Sequence, residues 1–286
     1  MKLESVPCHI CGEIKEFRLI TKAKSLHSQE YFNVVTCKDC GLIFVNPRQD
    51  FEEKRASLES LDNVNYFEKT KERDDYIYET VLSDIDNITP KGKLLEVGCA
   101  TGSLLRKAMG RGWEAYGVEI NRNCARFARE NNKLNVITGE LQDAKFPSGY
   151  FDVVVMVHVI EHIYNPRELI SEVNRILKQG GIVYMLTPNF SNYIVRFLKK
   201  IGVSRSIDEL DPTGHPYMFT KYSLSKILEQ SKFEVRYIDD GISLLSLKKK
   251  LADNGVSYLN KILKMLVSPM AKLGGGSSLK IIGQKI

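Results

Sequence analysis

The chain has 286 residues, 43% of them hydrophobic and 27% charged, with a formal net charge of +6. That composition supports one sizeable core with an appendage or two, and it excludes a fibrous, disordered or disulfide-dense secreted chain. The stretch Met1 to Pro7 carries no apolar signal segment and the longest apolar run, Val153 to Val157, is far too short for a bilayer, so a cytoplasmic protein is expected.

The first 50 residues hold four of the six cysteines as Cys8-x-x-Cys11 and Cys37-x-x-Cys40, with 25 residues between the pairs. Two short-spaced thiol pairs at the tips of two hairpins can close a tetrahedral Zn²⁺ shell, whereas a cytoplasmic chain is not expected to hold them as disulfides. Gly12 and Gly41 follow the pairs, where a knuckle turn needs a permissive backbone. Residues 1–50 are therefore predicted to be a small zinc ribbon, with strands near Glu16 to Thr21, Tyr31 to Thr36 and Leu42 to Phe44. Cys99 and Cys124 lie further on and read as small packing residues.

Residues 51–90 are charged and helical in period, with Tyr76, Ile77, Thr80, Val81 and Ile85 as an apolar stripe, and are expected to connect the ribbon to the next domain. From Lys93 strands and helices alternate. Strands are predicted at Lys93 to Val97, Glu114 to Glu119, Asn135 to Thr138, Phe151 to Val157 and Gly181 to Leu186, with helices at Ser103 to Arg111, Arg122 to Asn131 and Pro166 to Leu177. That alternation implies an α/β fold, a doubly wound sheet covered on both faces, over residues 91–286. A helix at Thr220 to Gln230, a strand at Phe233 to Asp239 and a last strand at Leu279 to Ile286 complete the series. Two inserts interrupt it, at about 189–216 and 241–276. The second contains amphipathic, basic stretches at 244–251 and 259–267, suited to covering a substrate, forming a dimer face or resting peripherally on an anionic membrane. Residues 190–286 carry 16 Lys or Arg against 8 Asp or Glu, so the basic excess is local.

The first strand of the alternating series runs into Glu96-Val97-Gly98-Cys99-Ala100-Thr101-Gly102 and then into a helix. Small residues let backbone approach a ligand, and the helix start presents unpaired N–H groups. The spacing Gly98-x-Ala100-x-Gly102 with an acid, Glu96, in the strand end departs from the dinucleotide pattern Gly-x-Gly-x-x-Gly and suits a ligand with a cationic amino-acid group. Glu119, 21 residues after Gly98, ends the second strand where an acid can accept from both ribose hydroxyls, with Ile120 after it. Beyond the fourth strand lie Val157, His158, Glu161 and His162, at the strand end where open α/β sheets bind ligands. Glu161 and His162 suit two roles equally, reaction chemistry or tying loops to the following helix.

The segment Leu94 to Leu105 resembles motif I of the class I S-adenosylmethionine (SAM) methyltransferases. Phe146 to Pro166, with Phe151-Asp152-Val153, an apolar run, Glu161-His162 and Asn165-Pro166, resembles that family's fourth-strand signature. Gly139-Glu140-Leu141 is similar to its adenine-flanking segment. The layout as a whole, with Cys37 to Arg48 as second knuckle and Gly214 to Leu224 as a later His-x-x-x-Phe-Thr segment, resembles small-molecule methyltransferases of the ubiquinone-biosynthesis and sugar type with an N-terminal zinc ribbon. The resemblance implies a seven-stranded, Rossmann-like sheet whose last strand is antiparallel. It implies SAM held by Glu96, Gly98, Ala100, Gly102, Glu119, Ile120, Glu140, Leu141 and Val157, and Zn²⁺ on Cys8, Cys11, Cys37 and Cys40.

Methyl transfer needs a group to take the acceptor's proton, and neutral histidine suits that near pH 7. His215 is the first candidate, with His158 and His162 behind it. Some sugar C-methyltransferases of similar layout use histidine and tyrosine near the later segment for proton removal, and this chain has one histidine there rather than a pair. The expected acceptor is a small metabolite or sugar unit, including one carried on an anionic nucleotide or a lipid-linked envelope precursor. Two other readings are ribosomal RNA methylation with the ribbon gripping nucleic acid, and a non-catalytic SAM-binding scaffold. The nearly neutral ribbon, with 7 basic and 6 acidic residues, and the exit His158-Val159-Ile160-Glu161-His162 in place of Asn/Asp-Pro-Pro-Tyr weigh against RNA. Oligomeric state is not legible in this sequence.

Overall fold

The computed structural model describes residues 1–12, 16–25, 30–189, 211–241 and 278–286. Most of both inserts, including the amphipathic stretches 244–251 and 259–267, lies outside the described residues. Among the described residues no helix is long and apolar enough to cross a membrane.

Strands β1 (Leu3–Glu4), β2 (Phe17–Lys24), β3 (Tyr31–Cys37), β4 (Ile43–Val45) and β5 (Arg48–Gln49) precede helices α1 (Phe51–Ser60) and α2 (Val64–Ile88). The chain then alternates through β6 (Lys93–Val97), α3 (Ser103–Gly110), β7 (Glu114–Glu119), α4 (Arg122–Glu130), β8 (Asn135–Thr138), β9 (Phe151–Val157), α5 (Pro166–Ile176) and β10 (Leu177–Pro188). It continues with β11 (Tyr217–Met218), α6 (Lys221–Gln230), β12 (Phe233–Gly241) and β13 (Ser278–Lys285). Side-chain caps start the helices where the sequence supplies them. Asp50 accepts from Glu53 N, Asn121 from Cys124 N, and Asn165 from Glu168 N with a proline in the first turn of α5.

The large sheet has seven strands in the order β12-β13-β10-β9-β6-β7-β8, with β13 antiparallel to both its neighbours and the others of the central run parallel. This is the doubly wound, Rossmann-like sheet expected from the alternation. Its winding reverses between β6 and β9, which opens a crevice at their carboxyl ends. The alternating side chains of β6 and β9 feed two cores. Leu95, Val97, Val154 and Met156 join one cluster, while Leu94, Val153 and Val155 join the other with α2, α3 and Trp113. The expected stripe on α2 is displaced: Val81, Leu82 and Ile85 are buried, whereas Tyr76 is exposed. The helix turns its more apolar 81–85 face to the sheet and leaves the phenol in water.

The N-terminal strands do not form a separate bead. Val6, Ile10, Leu42 and Phe44 belong to the same buried cluster as β9 and α5, and β11 from the far end of the chain pairs antiparallel with β4, Tyr217 opposite Phe44. A buried cation locks this junction. Arg48, 5% exposed, donates from Nε to Glu4 (2.9 Å) and from Nη1 to Tyr164 O (2.9 Å) and Tyr217 Oη (2.8 Å), with its guanidinium 4.2 Å from the centre of the Tyr164 ring. A planar fork satisfies these acceptors where an ammonium could not.

Truncating Arg48 takes the cation from a half-buried carboxylate and leaves Tyr164 O with the Tyr217 hydroxyl as its remaining donor. We expect Arg48→Met to destabilise the protein by about 3 kcal/mol, and Arg48→Lys to recover little of it. Thermal or urea unfolding of the purified variants checks this.

Candidate active site

Two loops face each other across the crevice, one leaving β6 and one leaving β9. In the first, Gly98 (φ +72°) and Ala100 (φ +48°) both occupy the left-handed region. A Cβ on Gly98 would lie 2.6 Å from Val159 Cγ2, so the β9 exit packs directly against this turn. Ala100 holds a conformation that costs an L-residue about 1 kcal/mol or more. That strain is held in place by Glu119 at the end of β7. The Glu119 carboxylate accepts from Ala100 N (2.8 Å) and from Asn121 N (2.7 Å). It is 8% exposed, and burial pushes its carboxyl up while the Asn121 and Ala100 N–H groups oppose the rise.

Glu96, beside it on β6, is in a different condition. Its side chain is 4% exposed and its Oε2 has no hydrogen-bond partner. Burial first, and the neighbouring Glu119 charge second, push its carboxyl up to about 8. An orphaned buried acid next to a small-residue turn fits the charged amino group of an amino-acid ligand, which is the fit that SAM requires.

Helix α1 roofs the crevice. Asn121 Nδ2 donates to Leu58 O (2.9 Å) and Leu61 O (2.7 Å), and Arg55 pairs with Glu140 (3.6 Å) and Asp143 (3.2 Å) at the β8 end. Glu140 thus meets a guanidinium, and its carboxyl is nevertheless pushed up by burial. Leu141 beside it is fully buried in the core, and Ile120 and Val157 are half-buried. Lys54, on the inner side of the same helix, is held below the usual lysine range by burial, with Asp211 opposing the shift.

The β9 exit carries the titratable cluster. His158 has φ +54°, a strained value for a side chain of its size, and its backbone N donates to Leu186 O (2.7 Å). Its Nδ1 lies 3.3 Å from Oε1 of Glu161, which is 1% exposed, and Thr187 Oγ1 donates to Oε2 (2.8 Å). Burial acts against the charge of Glu161, but the His158 hydrogen bond and the His162 and His158 charges outweigh it and hold the carboxyl at about 2. Because an ionised carboxylate only accepts, His158 presents a proton to it at Nδ1. His162 Nδ1 donates to Gly214 O (2.6 Å), and the His162 and His215 rings stand 4.7 Å apart, tilted by 34°. The sequence segment has one histidine, yet the fold assembles a pair from two loops. Glu161 and His162 do tie loops, to β10 through Thr187 and to the 211–216 segment through Gly214. Thr187, Asp211 and Lys54 were not singled out from the sequence, since isolated polar residues in apolar or charged runs carry no spacing signal.

The cysteine knuckles meet below β11. Cys8 Sγ is 3.4 Å from Cys40 Sγ and Cys11 Sγ 3.8 Å from Cys37 Sγ, and all four sulfurs lie within 4.8 Å of one another. Thiolates bound tetrahedrally to zinc at about 2.3 Å stand about 3.8 Å apart, so this donor set fits the ion. Gly12 and Gly41 have φ of +79° and +66° and donate to Cys8 O and Cys37 O, the turns expected of knuckles. Cys99 and Cys124 are buried, and burial raises both thiols, Cys124 to about 12, as packing residues require.

Residues 54–238 match the family model described as a methyltransferase domain. The chain belongs to this family. It is 32% identical over 108 residues to a ubiquinone/menaquinone biosynthesis C-methyltransferase of Burkholderia mallei, covering 35% of this chain and 44% of that protein. It is 30% identical over 115 residues to an uncharacterized protein of Methanocaldococcus jannaschii, covering 40% and 54%. The chain thus spans about half the length of the curated relatives it matches. Among solved structures, a SAM-dependent methyltransferase from Archaeoglobus fulgidus matches with a TM-score of 0.56 at 21% identity, over 77% of this chain and 99% of that one. A geranyl diphosphate C-methyltransferase from Streptomyces coelicolor matches with a TM-score of 0.51 at 15% identity, over 73% and 76%. These likenesses show the fold.

A carboxyl that ionises near 4.5 when unfolded but near 8 when folded takes up a proton on folding between those values. The ligand-free protein is therefore expected to lose stability as pH rises from about 4.5 to 8, by up to about 1.4 kcal/mol per unit from this group. Denaturant unfolding at pH 5.5 and 7.5 should register the fall, and Glu96→Gln should flatten it.

Proposed function

We propose that this methyltransferase acts on a small-molecule acceptor, a sugar unit or a lipid- or nucleotide-linked envelope precursor, bound between α1 and the β9 exit. The observation that carries this reading is the His158–Glu161 pair at the β9 exit, whose neighbour Val159 packs against the Gly98 turn. SAM, when bound, supplies an electrophilic methyl on a sulfonium that leaves as a neutral thioether.

The residues assigned to it divide by chemistry. Glu96 takes the amino group. Gly98, Ala100 and Gly102 give the backbone room, Glu119 accepts the ribose hydroxyls with its remaining lone pairs, and Ile120, Glu140, Leu141 and Val157 border the adenine. Acceptor and methyl have to be aligned and a proton removed as the new bond forms. His158 is best prepared for that, since Glu161 fixes its tautomer and would stabilise the imidazolium formed at Nε2. His162 and His215 stand behind it, reversing the order that the sequence suggested. Lys54 would add a cation for an anionic carrier. The B. mallei relative is named for a C-methyltransferase of quinone biosynthesis, which supports a small acceptor and leaves the acceptor atom open.

Zinc on Cys8, Cys11, Cys37 and Cys40 would serve structure. Strand β11 joins the ribbon to His215 two residues before it, so the metal would hold one wall of the acceptor site. Protein purified without chelator is expected to hold about one zinc per chain by elemental analysis. Cys37→Ser with Cys40→Ser should abolish methyl transfer while SAM affinity changes little.

Calorimetry with SAM, followed by S-adenosylhomocysteine release over a panel of sugar nucleotides, quinol precursors and RNA, tests the assignment. Gly98→Arg is expected to abolish binding, and Glu119→Ala to weaken it by about 1 to 3 kcal/mol. His158→Ala should lower kcat by about 10²- to 10⁴-fold at unchanged SAM affinity. Turnover on RNA alone, or SAM binding without turnover on any acceptor, would overturn the small-molecule reading.

A further inference from the structure

Among the described residues two groups of side chains are gathered as metal ligands would be. One is the cysteine set. The other is Glu161, His162 and His215, each offering a donor atom within 4.8 Å of the other two. We propose that Glu161, His162 and His215 form a second, divalent-cation site, whose open positions take an oxygen pair of the methyl acceptor. The inference rests on placing the acceptor in this crevice.

Three features favour a cation over a simple loop tie. Glu161 is 1% exposed, and a carboxylate with about four lone-pair directions, two of them met by His158 and Thr187, can also accept a cation. His162 donates through Nδ1 to Gly214 O, the outer contact that metal-bound histidines usually make, and this leaves its Nε2 as a lone-pair donor. The His215 ring, from a different segment of the chain, stands 4.7 Å from that of His162, so the fold brings two imidazoles together beside the carboxylate. Donors around one ion at about 2.1 Å stand about 3.0 to 3.4 Å apart, so an ion would draw the three closer than the 4.8 Å within which they lie.

Two imidazoles and one carboxylate suit Mn²⁺, Fe²⁺, Zn²⁺ or Ni²⁺ and leave up to three positions open. With one ligand charge against two on the ion, the site would carry a net positive charge. It would therefore attract an acceptor presenting adjacent oxygens, such as a vicinal diol or a hydroxy-ketone. A hydroxyl bound there would ionise more easily, and its proton could pass to His158 Nε2. No oxidant is required, since only a proton moves and the methyl follows.

The test uses the zinc-loaded full chain and Mn²⁺, which prefers nitrogen and oxygen to thiolate and so avoids the ribbon. Loss of the free Mn²⁺ signal in electron paramagnetic resonance should give one ion per chain. His215→Gln and Glu161→Gln should each weaken uptake at least tenfold, and His158→Ala should change it less than threefold. Loading the same protein with Co²⁺ gives a second reading that needs no variant. An added equivalent with weak visible bands and no thiolate charge transfer supports the site. Absence of Mn²⁺ uptake by a chain that binds SAM, or uptake unaffected by both His215→Gln and Glu161→Gln, overturns it. A chain that methylates its acceptor after metal depletion, with its ribbon zinc retained, would overturn the role assigned to the cation and leave the small-molecule reading standing.

Discussion

Three buried carboxylates at the carboxyl ends of three adjacent parallel strands set the terms for everything around this crevice. Glu96, Glu119 and Glu161 are 4%, 8% and 1% exposed, and each meets the cost of burial differently. Glu119 is answered by backbone N–H groups, Glu161 by a histidine and a threonine, and Glu96 by nothing that the protein itself supplies at Oε2. The first organises a loop, the second organises a titratable cluster, and the third waits for a cation. The same residue type thus performs three tasks because its neighbours differ. The sheet places them side by side because parallel strands end in register, with Glu96 opposite Gly117 and Glu119 opposite Thr138.

The ribbon matters to the site through continuity of backbone. Strand β11 is an edge of the ribbon sheet, and the residues just before it include Asp211, Gly214 and His215. Any change that loosens the cysteine knuckles acts on β4, then on β11, and so on the wall that holds His215. Arg48 reinforces the path by binding Tyr164, at the end of the β9 loop, and Tyr217, in β11, with one nitrogen. The ribbon is thereby a scaffold for the His215 wall of the crevice, while the opposite wall is built from the sheet and α1. The two halves also share one buried cluster, in which Val6, Ile10, Leu42 and Phe44 join side chains of β6, β9 and α5.

How much of this was legible depends on the range of the interactions. The glycine turn, the acid that ends β7 and the alternation of strands and helices are local patterns, and they placed the sheet and its crevice correctly. The cysteine spacing announced the sulfur cluster in the same way. What spacing could not convey was the meeting of His162 with His215, 53 positions apart, or the support of Glu161 by Thr187 from the neighbouring strand. Likewise Arg48 reads as an ordinary surface arginine until the fold buries it. Gly98 is instructive in another way. Its missing side chain was assigned to ligand approach, and the structure shows that Val159 occupies the adjacent space, so the residue is required by protein packing as well.

That double demand bears on how the crevice keeps its shape before any ligand arrives. Ala100 and His158 both hold left-handed backbone, on facing loops, a conformation that an L-residue does not adopt unaided. Each is pinned by one hydrogen bond from its own backbone N: Ala100 to Glu119, His158 to Leu186 O. A strained residue needs a strong partner, and a charge-assisted bond to a buried carboxylate is among the strongest available. Protonating Glu119 would weaken the hold on Ala100, whereas protonating Glu96 would not. The differing support of the two acids therefore separates loop geometry from ligand recognition: Glu119 can keep the turn formed while Glu96 remains free to change its charge when the cationic group binds.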